Sequence, residues 1–222
     1  MKNNFFFHRE SLFFDKEFTI TLLNEFNKIF KRENFKSTLS NVRELKSKSV
    51  SKNILLTSAL NKIREKFKFI IGEKDLVFSK LWMVSSKSNN TDKTILPYIP
   101  HFDKLRYLKA MVYLHDVTID HGPIYLGKVI KNINIETRRM NLPSDYKDKK
   151  LNCIKNEDID GTLFPMIGNA GDVIFFDTNT PHKGGIIKNK YYRKVLRFDF
   201  ERPMFNPKQN LFESLKNFIS LN

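Results

Sequence analysis

A chain of 222 residues, 41% of them hydrophobic, is long enough to build one sizeable core, and no window of eighteen uninterrupted apolar residues points to a membrane span. The net charge of +15 invites a nucleic-acid reading, but the lysines and arginines are scattered rather than clustered, so no nucleic-acid or membrane partner is expected. A single cysteine, Cys153, excludes an internal disulfide, and the apolar run Phe5-Phe6-Phe7 is stopped at once by His8, Arg9 and Glu10 instead of extending into a signal peptide, which together fit a cytoplasmic protein.

No stretch reads as a linker, so residues 1–222 are expected to form one domain: helical support over 1–72, a β core over 73–205 with a lid-like insertion at about 128–161, and a closing helix over 206–222. From Asp15, a possible N-cap, the residues Phe18, Leu22, Phe26, Ile29 and Phe30 recur at helical spacing. A second amphipathic helix runs from about Ser51 to Phe69 on the stripe Leu56, Leu60, Ile63 and Phe67, with Gly72 as its stop signal. The period then changes to that of strands. Residues 75–84 form a β-rich run holding Trp82, followed by a polar loop over 85–92 and a second run over Arg106 to Val117.

Asp120-His121-Gly122-Pro123 makes a turn into the short strand Ile124-Tyr125-Leu126. Residues 128–161 lose regular patterning over a length at which loops become lids or disordered. Strands return at 163–167, 172–176 and 193–200. In the last, Leu196, Phe198 and Phe200 fall on one face and Arg193, Val195, Arg197 and Asp199 on the other. The apolar face needs a cover of helices. A polar face looking into a small barrel indicates a site there, which points at Arg193 and Arg197. After Pro207, Leu211, Leu215, Phe218 and Ile219 mark the third helix.

Two stretches carry the chemistry. In Pro100-His101-Phe102-Asp103 a His and a carboxylate two apart on an extended segment face the same side, so both can bind one metal. If His182 arrives from a neighbouring strand, the set becomes two histidines and one carboxylate on one face of an octahedron, leaving three positions open, an arrangement suited to Fe(II) oxygen chemistry. A second His-x-acid pair, His8 and Glu10, competes for the role, and five histidines among 24 acidic residues give about half a chance match, so the tripeptide alone decides little. Near a terminus and without a partner His, His8 is the weaker candidate. His115 and His121 flank a turn and are read as turn or surface residues.

The order His101-x-Asp103, then Asp116-Val117-Thr118 with Gly122-Pro123-Ile124-Tyr125-Leu126, then Gly171 to Phe176 leading to His182 and Arg193, resembles the phytanoyl-CoA dioxygenase-like family of Fe(II)- and 2-oxoglutarate-dependent oxygenases over roughly residues 75–200. The resemblance implies a mainly β fold, a double-stranded β-helix (jelly roll, cupin-like) with helices from both termini on its larger sheet. It implies His101, Asp103 and His182 as iron ligands and Arg193 as the partner of the far carboxylate of 2-oxoglutarate, a role suited to a guanidinium whose charge does not titrate away. Arg197 is the reserve, with an ion pair to Asp199 as its alternative reading.

Met111 and Tyr113, and Trp82 on the preceding strand, are further candidates for the co-substrate wall, with core packing as the alternative for Met111 and Trp82. The implied reaction uses O2, releases succinate and CO2, and hydroxylates an unactivated C–H bond of a small-molecule or carrier-linked substrate. Related halogenases carry a small residue where this chain has Asp103. The chain departs from the family at Gly184, where many members have Ser or Thr, and at Gly127-Lys128-Val129, where a Gly-Ser-His turn is common. Lys128, Lys131, Arg138 and Arg139 in the long segment would favour an anionic substrate if they lie at the cavity mouth; ordinary surface charge is the alternative. A non-catalytic jelly-roll module that binds polyanions through its basic surface is the second functional reading.

Overall fold

The computed structural model describes residues 7–32, 36–39, 42–47, 50–72, 76–88, 94, 96–127, 135–141, 151–155, 159 and 162–201. The expected helix over 206–222, with Lys128 and Lys131, lies outside them. Both N-terminal helices form for the reasons their sequences give. In α1 (Lys16–Arg32) the Asp15 carboxylate accepts from the Phe18 amide at 2.8 Å. In α2 (Ile54–Ile71) the Asn53 side chain accepts from the Leu56 amide at 3.0 Å, and Gly72, in the left-handed region at φ 67°, closes the helix by donating to the Lys68 carbonyl.

The ten strands are β1 (Phe7–Glu10), β2 (Lys36–Leu39), β3 (Val42–Ser47), β4 (Val77–Lys87), β5 (Leu108–Tyr113), β6 (Ile124–Leu126), β7 (Phe164–Pro165), β8 (Val173–Asp177), β9 (His182–Gly184) and β10 (Tyr192–Glu201). Seven make an antiparallel sheet in the order β1-β8-β5-β10-β4-β3-β2, and β7-β6-β9 make a smaller one. The outer face of the large sheet joins the helices in one apolar cluster: Leu22 and Phe26 of α1 and Leu60, Ile63 and Phe67 of α2 meet Leu81, Val112, Phe175, Leu196, Phe198 and Phe200. Phe67 lies edge-on to Phe175 with ring centroids 4.8 Å apart. Each such side chain contributes about 1.5 to 3 kcal/mol by leaving water. On the inner face Met111, Tyr113, Ile174, Phe176 and Val195 meet Ile124 and Leu126 of the small sheet, so the two sheets face one another.

Four segments depart from the sequence reading. Residues 7–10 form an edge strand on β8, Phe7 opposite Phe176. The stretch 36–47 is a hairpin that extends the sheet beyond β4. In β4 pairing with β10 continues to Lys87 opposite Tyr192, so the strand runs past the expected loop start at Ser85. These polar stretches are held by backbone pairing, which hydrophobic alternation does not register. Within the expected lid, residues 135–140 form the short helix α3 (Ile135–Met140).

Candidate active site

His182 is carried by β9 at the mouth of the space between the sheets. His101, expected on an extended segment, makes an isolated antiparallel bridge: the His101 amide donates to the His182 carbonyl and the His182 amide to the His101 carbonyl, both at 3.0 Å. Asp103 follows on a segment pinned by its amide to the Thr178 carbonyl at 3.4 Å. The three side chains converge. The ligand atoms of His101, Asp103 and His182 lie within 4.8 Å of one another, and no other group of metal-binding side chains of this kind occurs among the described residues.

Both imidazoles are oriented by the same device. The Nδ1 of His101 contacts the carbonyl of Ile99, and the Nδ1 of His182 that of Thr180, each at 2.8 Å. A carbonyl only accepts, so each Nδ1 carries a proton and each Nε2 is free to face the third group. His182 Nε2 is 3.3 Å and His101 Nε2 3.9 Å from Asp103 Oδ1. Burial, reinforced by the neighbouring His182, pushes the pKa of His101 down to about 3, so the ring is the neutral, ligating form. Two imidazole nitrogens and a carboxylate oxygen around one point make a donor set that fits a divalent transition metal.

The other Asp103 oxygen, Oδ2, accepts from the ammonium of Lys109, which is 6% exposed on β5. Burial alone would raise the Asp103 pKa, but the Lys109 ammonium outweighs it and holds the carboxyl well below the usual carboxylate range. Lys109 was not singled out in the sequence. The only signal was its place on the inward-facing row Lys109, Met111, Tyr113, where a lysine among apolar neighbours requires a partner.

The site opens into a cavity of about 430 Å³ lined by Trp82, Met111, Phe176 and Arg193 together with Lys80, Tyr98, Tyr107 and others. Arg193 is held by the Gly122 carbonyl, which accepts from its Nη1. That carbonyl is presented by a tight meeting of two loops: Gly122, at φ 63°, packs so closely on Gly185 that a Cβ on it would stand 2.6 Å from the Gly185 carbonyl oxygen. The buried Nε of Arg193 has no hydrogen-bond partner. Burial lowers the pKa of this guanidinium from its ordinary value, the situation that an anionic partner relieves. The pocket beside Arg193 therefore fits a carboxylate.

The remaining candidates separate cleanly. Trp82 lines the cavity with its Nε1 donating to Asp199 at 2.8 Å, and Arg197 stacks 4.1 Å from its ring centroid. Arg197 is paired to Asp199 through Nε at 3.0 Å, its alternative reading. Met111 lines the cavity as well. Tyr113 does not: it is fully buried and its hydroxyl donates to the Met166 carbonyl at 2.5 Å, joining the large sheet to the segment after β7. His8 bonds Glu10 at 2.7 Å on the exposed edge strand, and His115 and His121 stack on each other and on Tyr192 and Tyr191.

Arg138 and Arg139 are spent internally. Arg138 donates to the carbonyls of Cys153 at 2.7 Å and Leu151 at 3.1 Å, and Arg139 to the Asp103 carbonyl at 3.1 Å and to the Asn179 side chain. Both guanidiniums lie over the Phe102 ring, bracing the Asp103 segment from behind, and neither lines the cavity.

No family model matches the chain, and no curated protein matches it by sequence. Solved structures do match. The epimerase SnoN, in complex with Fe3+, alpha ketoglutarate and nogalamycin RO, is 16% identical over 90% of this chain and 80% of its own, with a TM-score of 0.63. A prolyl-4-hydroxylase of Pseudomonas putida is 12% identical over 90% and 94%, with a TM-score of 0.57. HygX from Streptomyces hygroscopicus, with nickel, 2-oxoglutarate and hygromycin B bound, is 12% identical over 89% and 83%, with a TM-score of 0.56. At these identities the likeness is one of fold, and the fold that this mainly β chain shares is that of Fe/2-oxoglutarate-dependent oxygenases.

Proposed function

We propose that the chain is an Fe(II)- and 2-oxoglutarate-dependent oxygenase that hydroxylates a C–H bond of a small molecule or carrier-linked group, built on a jelly roll and allied to the phytanoyl-CoA dioxygenase-like enzymes. One observation carries this reading. Three convergent donor atoms, each oriented by its own hydrogen bond, share a cavity with a buried arginine whose Nε lacks a partner.

In this reading His101, Asp103 and His182 hold the iron, and Arg193 receives the far carboxylate of 2-oxoglutarate. Iron held there would activate dioxygen, the oxidant, with 2-oxoglutarate giving up two electrons as it is decarboxylated to succinate and CO2 and the substrate C–H bond giving the other two. The protein's own part is orientation and exclusion. The Ile99 and Thr180 carbonyls fix the imidazole tautomers, Lys109 fixes which Asp103 oxygen faces the histidines, and Phe176, Met111 and Ile124 keep the cavity wall dry. A carboxylate at position 103 completes the ligand set that favours hydroxylation over halogenation.

The test is anaerobic calorimetry with Mn(II) followed by 2-oxoglutarate, then succinate measured after iron loading and admission of air. Parent protein is expected to bind both in that order, with succinate accumulating over time. A parent that binds no 2-oxoglutarate saturably, yet binds polyanions with steep salt dependence, would instead be the non-catalytic module.

A further inference from the structure

Five basic side chains besides the histidines line the cavity: Lys80, Lys109, Lys183, Arg193 and Arg197. Lys109 is paired with Asp103, Arg197 with Asp199, and Arg193 faces the pocket assigned to the co-substrate. Two have no carboxylate partner among the described residues: Lys183, over the Tyr125 ring at 5.2 Å on the small sheet, and Lys80, which stands on the large sheet in register with the lysine that holds Asp103. The Lys80 ammonium takes the Tyr107 hydroxyl at 3.2 Å and lies 4.5 Å from the centroid of that ring and 5.7 Å from that of Trp82. Among the described residues no carboxylate lies within ion-pair distance of it.

The neighbouring acids are held by other donors. Asp199 has Oδ1 occupied by Arg197 Nε at 3.0 Å, and Oδ2 by Trp82 Nε1 at 2.8 Å and Arg197 Nη2 at 3.2 Å. Glu201 is engaged with the Ser79 hydroxyl at 2.8 Å. Lys80 thus keeps donors unspent inside a cavity whose other walls include Val42, Val84, Ile124, Phe176, Ile187 and Val195. Burial lowers its pKa against the opposing charge of Asp199, the pressure an added anion would relieve.

Its register also places it. Lys80 lies opposite Asp199 on β10, which lies opposite Lys109 on β5. At the usual strand spacing the Lys80 and Lys109 backbones are therefore about 10 Å apart, and Lys109 holds Asp103. Arg193 pairs with Ser86, six residues along β4 and roughly 20 Å away along the strand. A molecule anchored at Lys80 thus extends toward the triad without competing for Arg193.

Resting on the oxygenase reading above, we propose that Lys80 anchors the substrate, and that the substrate is an organic carboxylate whose hydrocarbon body lies against the apolar wall with a C–H bond presented to the metal side. The anionic guest expected from Arg138 and Arg139 thus reappears at a residue of the cavity wall itself.

Benzoate and its neutral isostere benzamide serve as probes, their binding followed by ligand-observed NMR on protein loaded with Mn(II) and saturating 2-oxoglutarate, which occupies Arg193. Parent protein is expected to prefer benzoate by about tenfold, the worth of one charge-assisted hydrogen bond. Lys80→Met is expected to lose that preference with its 2-oxoglutarate affinity intact, and Lys80→Arg to keep it. The proposal is overturned if parent binds both probes alike, or if Lys80→Met weakens 2-oxoglutarate and leaves the benzoate preference unchanged.

Should parent bind no 2-oxoglutarate at all, the oxygenase reading fails on its own. The probes are then compared on metal-free protein, where a benzoate preference lost in Lys80→Met but kept in Arg193→Met upholds the anion site, and the reverse pattern removes it.

Discussion

The two faces of the seven-stranded sheet are made from alternate residues of the same strands, yet they obey opposite rules. Along β10 the outward set Leu196, Phe198 and Phe200 meets the helices and is fully buried hydrocarbon, while the inward set Arg193, Arg197 and Asp199 lines the cavity. The outer face gains by contact area, which is non-directional and tolerates repacking. The inner face depends on a few directed bonds among charges in a poorly hydrated space, where each group is costly unless its partner stands in one place. Stability and activity are thus lodged on opposite sides of one sheet, and substitutions should separate them.

The largest expected effect is on the inner face. His182→Ala should abolish Mn(II) binding in calorimetry and reduce succinate formation to background, with the thermal midpoint of the metal-free protein little changed, because the lost ring bonds only its own chain neighbour Thr180 and the triad. An unaltered metal isotherm would remove the triad as the site. The complementary break is Phe198→Ala on the outer face, expected to cost about 3 to 5 kcal/mol in urea unfolding while the fraction still folded binds metal as before.

Acid sharpens the comparison further. His101 titrates at about 3 in the folded chain but near its ordinary 6.5 when unfolded, so below pH 6.5 the unfolded state takes up a proton that the folded state refuses. Stability of the metal-free protein should fall as pH drops from 6.5 toward 4, by up to about 1.4 kcal/mol per pH unit from this residue. His115, also lowered by burial, adds to the slope. Above 6.5 neither contributes, and His101→Gln should flatten the profile between pH 4 and 6.5 in urea titrations.

Smaller, and confined to the site, is Lys109→Met. Freed from its ammonium, Asp103 Oδ2 loses the bond that sets its rotamer, and Mn(II) affinity should drop about tenfold or somewhat more. Arginine at 109 should restore part of that affinity if orientation is the cause, whereas a purely packing role would leave the isotherm of the methionine variant at parent values.

The two faces were not equally legible in the sequence. The outer face announced itself through period: the stripes of α1 and α2, the end signals Asp15 and Gly72, and the alternation of β10 all follow from local physical chemistry. The ligand set His101, Asp103 and His182 was legible another way, through the order of motifs and the family resemblance it carries, since the His-x-Asp pair alone decides little. Partnership was less visible. Whether Arg197 would serve a ligand or Asp199, whether Tyr113 would face the cavity or tie down Met166, and that Lys109 would hold Asp103 are questions of register between distant strands. Arg138 and Arg139 illustrate the same limit, since a guanidinium reads as surface charge until the carbonyls it serves are known.

The reciprocal backbone bonds between His101 and His182 carry one more consequence. Two residues far apart in the chain are clamped as a rigid pair before any ion arrives, and each ring is already locked by its own carbonyl. The loss of rotational freedom that a flexible chelator suffers on closing round its ion is here borne during folding. Capture of the ion should then be a bimolecular step with little rearrangement behind it: in stopped-flow mixing of metal-free protein with Mn(II), the observed rate should rise linearly with metal concentration and show no plateau set by a conformational change.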